Sequence, residues 1–152
     1  MPNHKLTLLG QPASTKIQIY LQNSELHGTE RRLAYADHVI AISGKDGIDL
    51  ASKLYHVDLK AEGLVERFNA MIQGYGFKKV EKRNADVCAE AHLWMTLVGL
   101  YSRGAQQRHP HPRHLHIWVY EIDSHNRPKE DSPCHNCLQW VRREFRTVNG
   151  TA

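Results

Sequence analysis

The sequence predicts a single α/β domain in which helices cover both faces of a sheet. Three observations carry this. In the C-terminal half a helical pattern, an extended apolar run and a second helical pattern follow one another in that order. The extended run HLHIWVYEID is apolar on both faces, with Leu115, Ile117 and Val119 on one and Trp118, Tyr120 and Ile122 on the other, as a strand between two helical layers needs. The 152 residues give room for one ordinary core.

Along the chain, KLTLLG and KIQIYLQ read as short strands separated by the turn-like QPAST, and DHVIAIS as a third strand closed by GKDG. KLYHVDL fits helix or strand. Leu64, Val65, Phe68, Met71 and Ile72 fall at helical spacing, and Gly74 and Gly76 end that pattern. FKKVEK reads as a brief strand. A helix follows from about Val87 to Ser102, capped by Asp86 or Asn84; it is apolar on nearly every side and therefore predicted to be buried. After the central strand, Ser132 caps a last helix with Pro133 at its first position, and Leu138, Val141 and Phe145 line one face. Trp94, Trp118 and Tyr120 read as core; Trp140 is read as core or as an aromatic reaching the surface.

Basic residues outnumber acidic ones, 20 to 16, for a formal charge of +4. That excess suits nucleic acid without requiring it. No apolar run reaches membrane length, and MPNHKLTLLG lacks the pattern of a signal peptide, so the expectation is a cytoplasmic protein without a membrane partner. An odd count of three cysteines speaks against a disulfide scaffold.

Those three cysteines are Cys88, near the start of the buried helix, and Cys134 and Cys137, three apart on the first turn of the last one. Residues at i and i+3 are neighbours on a helix, and a helix start favours thiolate over thiol. Three thiolates delivered by two helix starts can hold Zn²⁺ tetrahedrally and leave one position open, as a catalytic zinc requires. Glu90 is off the Cys88 face, too poorly placed to be a fourth ligand but long enough to reach a water at the metal.

Cys-Ala-Glu at 88–90 and Pro-Cys-x-x-Cys at 133–137, in that order with a strand between, resemble the zinc-dependent cytidine deaminase superfamily, including its toxin-type and nucleic-acid branches. The resemblance implies a layered α/β/α fold with a mixed sheet. It implies Zn²⁺ on Cys88, Cys134 and Cys137, Glu90 as proton shuttle, and contacts to the base from the backbone around Ala89 and from Ser132-Pro133. The implied reaction is hydrolytic deamination of a nucleobase, cytosine to uracil ahead of adenine, in a nucleotide or in single-stranded DNA or RNA. The family places one or two more strands after the second motif, and TVNGTA cannot supply two. The topology is then either permuted, with the N-terminal strands (1–59) completing the sheet of a zinc-binding core (60–152), or missing the C-terminal strands. The first is preferred, because an unpaired edge beside a buried strand invites aggregation. Exposed edges make self-association of the chain unsurprising, and a toxin would bring an immunity protein as partner.

Two other functions remain open. A free cytidine or deoxycytidine deaminase also uses three cysteines, but such enzymes carry an Asn-x-Glu stretch before Cys-Ala-Glu, where this chain is basic instead, with Lys78, Lys79, Lys82 and Arg83. That basic run favours a phosphorylated or polymeric substrate, or is a solvated loop. A non-catalytic module results if His92, at i+4 from Cys88, closes a Cys₃His structural zinc. A Cys134–Cys137 redox pair leaves Cys88 and Glu90 unexplained. RHPHPRHLH at 108–116 has the composition of a metal site, but it follows the far end of a helix roughly 24 Å long at 1.5 Å per residue, so it reads as a solvated loop. Glu121, Asp123, Ser124, His125 and Asn126, at the return end of the central strand, are the specificity candidates.

Overall fold

The computed structural model describes residues 5–9, 39–103, 111–122 and 128–151. The strand expected at KIQIYLQ and the candidates Asp123, Ser124, His125 and Asn126 lie outside these residues.

A mixed sheet forms the middle of the molecule. Strand β1 (Lys5–Leu9) runs antiparallel to β2 (Ile40–Ile42), with Leu6 opposite Ile42. On its other side β1 runs antiparallel to β3 (His116–Ile122), with Thr7 opposite Val119. The far edge of β3 is shared: β5 (Thr147–Val148) pairs parallel to its start, and β4 (Pro128–Glu130) antiparallel to its end. N-terminal strands thus occupy one side of the central strand, and the C-terminal segment supplies a single two-residue strand on the other. Ile117 and Val119 are fully buried. Trp118 and Tyr120 are only half-buried, so the second face of β3 is less covered than its apolar pattern predicts.

The helices are α1 (Lys45–Tyr55), α2 (Leu64–Gly74), α3 (Ala89–Tyr101), α4 (His135–Leu138) and α5 (Val141–Glu144). Helix α3 is buried at every residue from Ala89 to Leu100, as its all-round apolar pattern requires, and packs on β2, β1, α1 and α2. Among the described residues no helix is long and apolar enough to cross a membrane.

Three local expectations are corrected. GKDG closes β2, as expected, but is not a turn throughout: Gly44 turns at φ 79°, and Lys45 already begins α1. Only Gly47, Leu50 and Ala51 of that helix are fully buried, a stripe too thin to register as helical in the sequence. The last helix does not begin at Pro133. The chain stays extended through Cys134 (φ −65°, ψ 166°), which takes the N-cap position, and the helix then breaks into two single turns at Gln139–Trp140. Trp140 causes the break by turning fully into the core, edge-on to Phe68 at 5.0 Å; it does not reach the surface. FKKVEK is not a strand, because its backbone bonds to side chains of the 135–139 turn, as described below.

Gly47 sets the distance between α1, β2 and α3. A Cβ there would lie 2.0 Å from the carbonyl oxygen of Ile42 and 2.2 Å from Nδ1 of His92. Nothing lies within 4 Å of a Cβ added at Gly74. Gly47→Ala is therefore expected to destabilise the fold by about 2 kcal/mol or more through forced repacking. Gly74→Ala is expected to be neutral or stabilising by about 0.5 kcal/mol. Urea unfolding of the two variants beside the parent protein measures both.

Candidate metal centre

Two chain segments arrive at one point in matching conformations. Cys88 is the N-cap of α3 (φ −75°, ψ 152°), and Cys134 is the N-cap of α4 in nearly the same extended geometry. Cys137 follows one turn later. The three sulfurs lie within 4.8 Å of one another, and Cys88 Sγ is 3.6 Å from Cys134 Sγ. All three thiols are free. A tetrahedral zinc with Zn–S bonds near 2.3 Å holds sulfurs roughly 3.8 Å apart, whereas a disulfide needs about 2.0 Å. The donor set and its spacing fit a metal ion; the group as it stands can hold one.

The path of the chain explains the convergence. Asp131 N–H donates to the Val119 carbonyl at 3.0 Å, so the chain leaves β4 bound to β3. Asn149, at φ 51°, accepts from Val119 N–H at 2.8 Å and donates to the Asp131 carbonyl at 2.8 Å, pinning the approach to Pro133. On the other arm, a 3₁₀ turn at Ala85–Val87 aims Cys88 inward, and Gly44 N–H donates to the Val87 carbonyl at 2.8 Å.

A cap over the cluster comes from residues 78–83. The side chain of Asn136, fully buried between the two cysteines, accepts from Val80 N–H at 2.9 Å and Glu81 N–H at 3.2 Å and donates to the Arg83 carbonyl at 3.0 Å. Gln139 accepts from Lys78 N–H at 3.0 Å and donates to its carbonyl at 2.7 Å. His135 Nδ1 lies 3.2 Å from Glu81. The basic run is thus a strap laid on the turn that carries two of the sulfurs.

The electrostatics single out Cys134. Its thiol is driven well below the ordinary value, first by an S–H from Cys137, then by Cys88, with Arg83 and the Cys137 backbone N–H adding to the pull. Cys88 is correspondingly pushed up to about 12, chiefly by its bond to Cys134, and Cys137 is raised for the same reason. The lowering expected at a helix start is thus found at Cys134 and not at Cys88, because sulfurs this close oppose one another's ionisation. Glu90 is 0 % exposed, and its charge contributes to the rise at both Cys88 and Cys137, which places the carboxylate within electrostatic reach of the cluster. Cys88 and Cys137 are buried while Cys134 is half-buried, so the cluster opens on the Cys134 side, where the Arg83 guanidinium stands.

His92 does not join the group. Its buried Nδ1 lies 2.8 Å from the Ile42 carbonyl, and desolvation lowers its pKa. Among the described residues, no other histidine belongs to it either. In the His-rich segment, His111 Nδ1 accepts from Arg113 N–H at 3.1 Å and His116 Nδ1 lies 2.7 Å from Thr147 Oγ1. Of the other candidates, Ala89 and Pro133 are buried next in sequence to Cys88 and Cys134, Ser132 is exposed, and Glu121 is half-buried on β3. Sequence reasoning missed Asn136, Gln139 and Asn149. The signal was present in polar residues inside and beside the cysteine motif and in the Asn-Gly pair of TVNGTA.

A scan against protein-family models and searches of curated proteins and of solved structures each returned no match to this chain.

Metal analysis of purified variants should show metal lost on Cys134→Ser and on Cys88→Ser but retained on His92→Gln. Because burial lowers the pKa of His92, the unfolded chain binds the proton more tightly than the folded one. Its contribution to stability is complete above about 6.5, the ordinary histidine value, and falls as pH drops below it. His92→Gln should flatten the stability curve between pH 6.5 and 5, followed by urea unfolding at each pH.

Proposed function

We propose that the protein is a zinc-dependent nucleobase deaminase of the cytidine deaminase-like type, converting cytosine to uracil in a nucleotide or a single-stranded nucleic acid. The observation that carries this is the meeting of Cys88, Cys134 and Cys137 beside a fully buried glutamate two residues after the first of them. The chain supplies three sulfurs, and a tetrahedral ion has a fourth position for water. The helix–strand–helix order between the two motifs, with β3 between α3 and α4, also supports the reading.

Zinc, when bound, supplies the Lewis acid that brings a water's pKa toward neutrality. Glu90 takes the proton that this water gives up and delivers it to the ring nitrogen. A C–O bond then forms at C4 of the base; Glu90 takes a second proton, from the new C4 hydroxyl, and hands it to the amino nitrogen as the C4–N bond breaks, leaving a C4 carbonyl and ammonia. Three thiolates on a divalent ion leave an excess negative charge, and the Arg83 guanidinium beside Cys134 offsets it. The backbone at Ala89 and Pro133, next to the two N-cap cysteines, supplies contacts for the base.

The Cys₃His module is the weaker reading, since His92 already faces the Ile42 carbonyl. A free-nucleoside enzyme is weaker than a nucleotide or nucleic-acid enzyme, because the segment before Cys88 is a cationic strap.

Ammonia release should be measured from cytidine, deoxycytidine, adenosine, single-stranded DNA and RNA. Activity on a cytosine substrate should fall by at least about 10²-fold in Glu90→Gln while metal content stays unchanged. Metal-loaded protein that releases no ammonia from any of these substrates would refute the proposal.

A further inference from the structure

Among the described residues, a run of cations leads toward the sulfur cluster. Lys78, Lys79, Lys82 and Arg83 are all exposed on the strap. The acid among them, Glu81, is engaged by His135. At the Lys78 end the strap runs back into Tyr75, and the Arg143 guanidinium lies over the Tyr75 ring, 4.9 Å from its centre. Tyr75 is in turn a wall of an open cleft of about 560 Å³ that Arg67, Trp94, His111 and Arg113 also line. The acid of that cleft, Glu144, is 2 % exposed and already held by the Tyr75 hydroxyl, by Trp94 Nε1 at 2.9 Å and by Arg113 at 3.7 Å. Strap and cleft together carry six cations, Lys78, Lys79, Lys82, Arg83, Arg67 and Arg113, against the two engaged acids Glu81 and Glu144, so this band is net positive.

Aromatic rings interleave with that band. Tyr101 is 49 % exposed and stands edge-on to His111 at 5.2 Å, at one end of the cleft; Tyr75 sits between cleft and strap. Cations that track a backbone, with rings between them for bases to lie against, make up the chemistry of a single-strand binding surface. The strap spans at most about 17 Å from Lys78 to Arg83 in extended form, so strap and cleft together are long enough for several consecutive phosphates. The band ends at Arg83, beside Cys134, the half-buried member of the sulfur cluster.

We propose that the strap 78–83 and the Tyr75–Arg113 cleft form one continuous track for single-stranded nucleic acid, leading its phosphodiester backbone to the open side of the metal centre. Lys79, Lys82 and Arg67 hold phosphates by charge. Asn136 and Gln139 fix the strap's backbone and so act as positioning residues. The track deepens the proposed function by assigning its substrate as a strand, and it rests on that reading only for what happens at the metal end.

The test is binding of a 20-nucleotide single strand of mixed sequence, as DNA and as RNA, to metal-loaded protein bearing Glu90→Gln, across a salt series. Binding is expected to weaken with salt. The slope of log K against log salt should drop by about 2 in Lys79→Gln/Lys82→Gln/Arg67→Gln, from about 0.7 per lost phosphate contact on single strands. Lys53→Gln, exposed on the last turn of α1, should leave the slope unchanged. Absence of binding at low salt, equal affinity for duplex of the same length, or an equal loss per charge in Lys53→Gln would each overturn the track. Failure of the deaminase reading is separate. Strand binding with no ammonia from the unsubstituted protein refutes the chemistry and leaves the track standing, whereas ammonia from free cytidine without strand binding refutes the track alone.

Discussion

Asn136 sits fully buried between the two cysteines of the 134–137 turn and spends its amide on three backbone groups of a segment more than fifty residues earlier in the chain. The rest of the site depends on this. A single-turn helix has little stability of its own, and α4 has four residues. It is held because Asn136 and Gln139 bind the strap on one side while Asp131 and Asn149 bind β3 on the other. Each such bond contributes on the order of 1 kcal/mol, and each left unmade in a buried place costs about as much again or more. A turn fixed at both ends can present two sulfurs to Cys88 without a long helix behind it.

Bringing three thiols together creates an electrostatic problem that the protein solves in stages. One thiolate, on Cys134, is stabilised by two S–H donors and by Arg83; a second charge at Cys88 or Cys137 is opposed by Cys134 and by Glu90. A divalent cation removes that opposition, because it neutralises the charges its ligands must acquire. The same cluster that resists full ionisation alone is therefore a good receptor for a metal. On the proposed function, the acid that raises the thiols would be the residue that exchanges a proton beside the filled site.

Much of this was legible in the sequence, and the illegible parts share a cause. The buried character of α3 and the central strand follow from periodicity, and the pairing of Cys134 with Cys137 from their spacing on one turn, all local; that Cys88 joins them was expected from the order of the two motifs, not from spacing. Helix α1 was missed because its contact with the core runs through Gly47, whose value is the absence of a side chain against Ile42 and His92. The break after Leu138 was missed because a proline and a cap signal at 132–133 describe a helix start, whereas Trp140 is drawn into the core by Phe68 and Phe145 from elsewhere. His92 is satisfied by a carbonyl fifty residues away, which spacing from Cys88 cannot reveal. Local pattern specifies which residues carry chemistry; long-range hydrogen bonds decide which of them meet.

The strap joins these two levels. Its exposed side chains are basic, while its backbone is bound to the turn that carries two sulfurs. Any displacement of Cys134 and Cys137 must move Asn136 and Gln139 with them, since all four lie within six residues, and through them the backbone from Lys78 to Arg83. Metal occupancy and the shape of the cationic surface are thus mechanically coupled, without a separate hinge or lid. A free nucleobase would gain nothing from such coupling, because it makes no contact with the strap's distant lysines. A strand bound as proposed would gain from it: phosphates held along Lys78 to Arg83 would stand in fixed register to the sulfurs, so charge that is indifferent to sequence would decide which nucleotide reaches Glu90.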